Sequence, residues 1–487
     1  MGIGLFTSRV ILNSLGVEDF GIYNIVGGTV ALFSFLNVTL SGAASRFLSF
    51  DIGRNNQESL TQTFRTTIAV HIIIALAIVL LAETLGLWFL YNQINIPDGK
   101  FSAALFVYHI SILTSIISIL QVPFTASIIS HEDMGVYSYV SILEAVSKLA
   151  TAYIILTIGS HKLEIYASLI AAVALLLFII YVCICVRKYP ECILKPKFNL
   201  QILKPIIKYS CWDLYGNLSA MARTYGIAVV LNMFFGAVIN AATGIATQVQ
   251  NAVMGFVENF MTAARPQIVK YYAAQRFQDM TTLIYNASKY SFILIFLVSF
   301  PIIVECSYIL RLWLGVVPDY AVPFTQFCLI MGWNSALFRP IGFGIHSTGK
   351  IKSMSFVNGT IILCIIPLSY IAFKNGCSPT TAYAFNITLL LLSSTFNTFL
   401  LQRLVPEFSS RMFLKHVLVE ILKIVLPTSI MIFFLVSKIE QGPIRLILTL
   451  LCSTILVLTT AWVWVTDKNT KEKIVLTIKS KLKCQKK

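Results

Sequence analysis

Two arginines buried in apolar sequence are the residues best placed to do chemistry. Arg9 lies in an apolar run at the start of the chain and Arg223 in another near its middle. A charge in hydrocarbon is costly unless it faces water or a partner, so intramembrane charge is the first functional signal to read. Arginine stays ionised in a low dielectric, and its planar fork of donors matches phosphate or carboxylate oxygens. Arg46 and Arg265 follow at the ends of the next apolar runs. All four are expected to receive an anion, although Arg46 and Arg265 also read as markers at the headgroup level. Carboxylates are fewer. Asp213 and Glu258 are candidates for a coupling H⁺ or Na⁺. Glu144 and Lys148 are four apart on one helix face, where they neutralise each other or gate.

Other polar groups add to this set. Asn217, Asn232, Gln248, Gln250, Asn251 and Asn259 make one helix pair unusually polar. Such amides can hydrogen-bond sugar hydroxyls, or join helices at about 1 kcal/mol each. Arg339-Pro340, with Gly342 and Gly344 following, is a candidate hinge because proline removes a helical hydrogen bond. His71 and His109 have no acid four residues on and are expected to pack. Glu83 is expected to snorkel, and Asp51 to sit in a solvated turn. The ten cysteines are scattered; Cys183 and Cys185 fall on different helix faces with no matching His or Cys pair, so no metal site is assigned. There is no Walker-type phosphate loop, and neither a catalytic residue nor a cofactor is expected.

The elements that position these residues are apolar and long. Mean hydropathy is +0.80 and 57% of residues are apolar. Only 12% are charged, against about 25% in soluble domains, which excludes a soluble enzyme. A helix needs roughly 20 apolar residues to cross the bilayer core. About fourteen such runs occur, at 1–15, 21–43, 67–91, 102–129, 134–158, 164–186, 209–235, 237–263, 288–312, 321–345, 353–373, 379–402, 414–437 and 443–466. The first is short and carries Arg9, which suggests a truncated first helix.

The net charge of +16 is explained by topology rather than nucleic acid. With the start placed in the cytoplasm, about 26 basic residues fall inside, among them Arg54, Arg65, Lys195, Lys204 and the tail lysines. Only Lys100, Lys162, Lys374, Lys438 and Arg445 fall outside. This is a strong positive-inside bias, with both termini cytoplasmic. The basic tail suits anionic headgroups.

The basic, proline-bearing stretch 187–208 divides the chain. We read 1–186 as an N-terminal lobe of six spans, 187–208 as a linker and 209–402 as a second lobe. Two extra helices fill 403–466, and 467–487 is a tail. Leu12-Asn13 and Arg46 recur as Leu231-Asn232 and Arg265 at one offset, which implies a parallel repeat with its pseudo-twofold along the membrane normal. The expected fold is an all-α polytopic bundle.

The segments SRVILNSLGVEDFGIYNIVGG (8–28), AASRFLSFDIG (43–53), VPFTASIISHEDMGVYSYVSILEAVSKL (122–149), ARPQIVKYYAAQ (264–275), LRLWLGVVPDYA (310–321) and STGKIKS (347–353) resemble the polysaccharide-biosynthesis flippases. These are lipid-linked oligosaccharide translocases of the multidrug/oligosaccharidyl-lipid/polysaccharide (MOP) superfamily. The resemblance implies a MATE-like fold of two six-helix lobes and an alternating-access cycle in a bacterial inner membrane. It also implies that Arg9 and Arg223 receive the pyrophosphate of a polyprenyl-linked glycan such as an O-antigen unit. Other glycan-assembly membrane proteins are expected partners. Two rivals stand beside it: a cation-coupled multidrug exporter of the same fold, which calls for an acidic lining, and a membrane glycan polymerase or ligase, which calls for a large outer loop. A structural scaffold is disfavoured by the intramembrane charges.

Overall fold

The computed structural model describes residues 10, 11, 14, 15, 19, 22, 23, 35–92, 99–192, 195, 199–465 and 471, without the side chains of 35–40 and 237–238. Arg9 and the first span's start lie outside the described residues. Everything regular in the described residues is helical. Among the described residues ten helices are long and apolar enough to cross a membrane: Gln57–Asn92 (α2), Phe101–Ser130 (α3), Met134–Leu156 (α4), Lys162–Lys188 (α5), Leu200–Phe235 (α6), Phe277–Val304 (α8), Lys352–Lys374 (α11), Thr380–Leu404 (α12), Ser410–Lys438 (α13) and Pro443–Val465 (α14). To these are added Phe35–Gly53 (α1), Ala237–Ala273 (α7), the short Cys306–Leu314 (α9) and Ala321–Thr348 (α10). At 37 and 28 residues α7 and α10 are long enough, but no stretch of either reaches the apolarity of those ten.

The chain divides into two compact units. Unit 1 comprises 1–217, 269–275 and 349–352; unit 2 comprises 218–268, 276–348 and 353–487. The helices 403–465 therefore belong to unit 2. The expected linker 187–208 is shorter than its composition suggests. α5 runs through Lys188, and α6 begins at Leu200 and passes through Pro205. Its basic side chains fit an interfacial helix end as well as a loop.

In unit 1, α2 starts at the cap Asn56, whose side chain accepts from the Ser59 N–H at 2.9 Å. Within α2, residues Ala82–Gly86 widen into a π turn, with the Leu87 N–H bonded to the Ala82 carbonyl. The buried Tyr108 hydroxyl of α3 donates to that same carbonyl at 2.6 Å. Gly86 makes this possible: a Cβ there would lie 2.1 Å from the Tyr108 oxygen. A core of Leu48, Phe64, Phe124, Ile128 and Cys185 joins α1, α2, α3 and α5.

In unit 2, Ile227, Leu231, Ala242, Phe324 and Tyr383 pack α6, α7, α10 and α12 together. Gly344 of α10 lets Ile284 and Leu401 approach; an added Cβ would meet both at about 3 Å. The C-terminal helices are tied in by charge. Arg445 of α14 donates to both oxygens of the fully buried Glu305 at the α8–α9 junction, each at 2.9 Å. Thr449 adds a third bond at 3.2 Å. The sequence reading had used Arg445 only as a topology marker and passed over Glu305.

Candidate functional site

α7 carries the most distinctive face. At 3.6 residues per turn, Gln248, Asn251, Glu258 and Asn259 fall within an arc of roughly 100°, and all four are exposed. Ala242, Ala246, Val253, Val257, Met261 and Ala264 lie opposite and are buried. A membrane-length helix can expose amides and a carboxylate only where water reaches them, because lipid would leave them unsatisfied. Residue type alone groups the amides as one polar helix pair and sets Glu258 apart; the burial pattern joins four of these residues into a stripe. Gln250 lies off that stripe and donates to the Cys328 carbonyl at 2.8 Å, so it joins α7 to α10.

Two arginines border the stripe. Arg339 of α10 forms an ion pair with Glu258. One turn further along α10, the Phe343 ring lies 5.5 Å from the guanidinium of Arg265. Arg339 and Pro340 sit in an unbroken helix, and Pro340 is buried. Arg339 thus has a charge partner that the hinge reading did not foresee. Arg223 of α6 donates to the Asn386 side chain of α12 at 3.2 Å. Among the described residues no carboxylate pairs with it. Asn232, at the end of α6, is exposed.

Unit 1 holds the other expected residues. Arg46 is not an exposed marker: it is 7% exposed, with the rings of Phe47, Phe50 and Tyr209 at 4.5, 5.0 and 5.7 Å. Asp51, expected in a solvated turn, is also buried, because α1 continues to Gly53. It accepts from Ser59 at 2.9 Å and Thr63 at 2.6 Å. Asp213 accepts from Asn217 at 3.4 Å. Glu144 and Lys148 pair at 2.6 Å along an exposed face of α4. His71 is buried and bonds to the Thr67 carbonyl at 2.7 Å. His109 does have an acid nearby after all: Glu83, on the neighbouring helix, is 3.7 Å away.

The turn His131-Glu132-Asp133 was missed entirely. Its three residues pair in order with Glu191 at 2.5 Å, Lys270 at 2.6 Å and Lys188. His131 stacks on Tyr189 at 4.2 Å. Burial pushes the Glu191 carboxyl up, but hydrogen bonds from His131, its own backbone and Gln57 outweigh it and leave the group below the usual range. The Lys188 hydrogen bond holds Asp133 low. Partners 55 to 138 residues apart leave no local sequence signal.

No protein-family profile matches the chain, and no curated protein matches it in sequence. Solved structures do match. An outward-facing multidrug resistance MATE family transporter of the MOP superfamily aligns with TM-score 0.70 at 12% identity, over 84% of this chain and 94% of that one. The fold is that of the MATE transporters. A eukaryotic MATE transporter aligns with TM-score 0.68 at 10% identity, covering 84% and 94%. A MOP superfamily transporter from Pyrococcus furiosus aligns with TM-score 0.65 at 13% identity, covering 82% and 94%. At such identities the likeness establishes architecture alone.

Proposed function

We propose that this chain moves a polyprenyl-pyrophosphate-linked oligosaccharide across a bacterial inner membrane by alternating access, with both termini in the cytoplasm. The observation that carries the reading is the charge balance of unit 2. Beside an exposed amide stripe stand Arg265 and Arg339, against one carboxylate among the described residues, Glu258; Arg223 adds a third cation on α6, bonded to Asn386. Amides suit the hydroxyls of a glycan, and guanidinium groups suit a diphosphate. The lipid tail stays in the bilayer while the headgroup passes through water. Arg9 and Arg46 are the candidate anion-receiving groups of the N-terminal half, and Asp213 is the candidate for a coupling ion.

The runner-up is multidrug export by the same fold, which the structural neighbours make equally compatible. For the Pyrococcus furiosus neighbour, reverse polarity of the binding pocket is taken to suggest a different function. The sign of the lining charge is therefore the property to weigh, and here it favours an anionic cargo. Complementation tests this. In a bacterium lacking its own glycan flippase, the wild-type chain restores surface glycan, and Arg223→Ala restores at most a tenth as much. Equal restoration by both proteins removes the anion-receiving role. Restoration by neither, together with resistance to cationic drugs, favours the exporter.

A further inference from the structure

Two thiols meet at the end of α5 that carries the basic pair Arg187 and Lys188. Cys185 lies in the last turn of α5, and Cys192 lies on the turn that follows, which closes as the Cys192 N–H donates to the Tyr189 carbonyl at 3.1 Å. Both are buried and neither is in a disulfide. One turn of α3 holds them in a shared pocket. The Cys185 thiol donates to the Phe124 carbonyl at 3.4 Å, and the Ser127 hydroxyl lies 3.5 Å from Cys192 Sγ. The two thiols are also hydrogen-bonded to each other.

Buried thiols are inert while they stay buried, because the attacking thiolate must reach its oxidant. The turn that carries Cys192, however, is fastened largely by polar contacts. His131 pairs with Glu191 and stacks on Tyr189. Asp133 accepts from Lys188 and from the Tyr189 hydroxyl, the latter at 3.0 Å. Short surface segments held this way open locally at far lower cost than a packed core does. The His131–Asp133 turn thus acts as a clasp over a dithiol.

We infer that Cys185 and Cys192 form a reversible disulfide with a low-molecular-weight disulfide as oxidant, and that the clasp governs how fast they do so. Cys192, on the turn that opens, loses its proton and attacks one sulfur of the oxidant, which releases one small thiol and leaves a mixed disulfide. The Cys185 thiolate then displaces the second small thiol. Two S–H bonds of the protein are lost, one S–S bond of about 2.05 Å forms, and two electrons reduce the oxidant to two thiols. In a reducing compartment the dithiol is the resting form, so the bond records an oxidising episode. The inference is independent of what the protein transports.

Oxidised glutathione added to the purified full chain tests it, with peptide mapping by mass spectrometry as the readout. Trypsin cuts after Arg187 and Lys188, so the disulfide joins two peptides that otherwise separate. In the wild type the linked pair carries Cys185 and Cys192, and a reducing agent parts it. His131→Ala and Asp133→Asn undo different halves of the clasp, and each speeds linking about tenfold, the worth of one charged hydrogen bond. The buried Cys306 and Cys328 stay unmodified throughout, which reports an intact fold. Should one variant modify them, the other variant and the wild type decide. Absence of the Cys185–Cys192 link in the wild type, or a link from the exposed Cys183 or Cys211 in its place, overturns the assignment. Equal linking rates in the wild type and the folded variants overturn the role of the clasp.

Discussion

Replacing Arg445 by methionine should be among the most damaging single changes in unit 2. Glu305 is fully buried, and Arg445 is 11% exposed and supplies two of the three hydrogen bonds to its carboxylate. In Arg445→Met the carboxylate keeps only the Thr449 hydroxyl. Breaking a buried pair from one side costs about 3–5 kcal/mol, because an uncompensated charge stays behind. Replacing both partners by apolar residues of similar volume is often neutral. The double variant Glu305→Leu/Arg445→Met should therefore recover most of the loss. Apparent unfolding free energies from steric trapping in micelles measure both. A single-variant loss below about 1 kcal/mol, or a double variant as unstable as the single, refutes the reasoning.

Gly86→Ala places a Cβ 2.1 Å from the Tyr108 oxygen and should cost about 1–3 kcal/mol by the same measurement, with Tyr108→Phe relieving part of it. If Tyr108→Phe gives no relief, the hydroxyl is not the obstacle. His131→Ala leaves Glu191 buried with its own backbone N–H and the Gln57 amide at 3.4 Å, at a cost of about 1–3 kcal/mol near neutral pH. Because the Glu191 carboxyl is held low when folded, its stabilisation is present above its unfolded value of about 4.3. It is lost as pH falls through the folded value, so thermal melts of wild type and variant should converge in acid. A gap that widens in acid contradicts the assignment.

The membrane-crossing elements were legible because apolar runs of span length leave little freedom. The runs 414–437 and 443–466 became Ser410–Lys438 and Pro443–Val465. The ends were less legible where polar residues extend a helix beyond the hydrocarbon, as α1 does past Arg46 to Gly53 and α7 past Arg265 to Ala273. The α7 stripe was half legible: its residue types were visible, but which of them faced outward was not, and Gln250 turned inward. Charge pairing was not legible. Glu258 and Arg339 are 81 residues apart, and Glu305 and Arg445 are 140 apart. No local pattern announces contacts that only the bundle creates.

Reconstitution into liposomes puts the central claim to its most direct test, with leaflet exchange of a fluorescent polyprenyl-diphosphate oligosaccharide followed beside efflux of a lipophilic cation. The account predicts that the wild type accelerates movement of the glycolipid and leaves the cation unaffected. It also predicts that Arg223→Ala and Arg265→Ala each slow the glycolipid by about tenfold or more, the worth of one charged hydrogen bond to phosphate. Export of the cation with no movement of the glycolipid would contradict it.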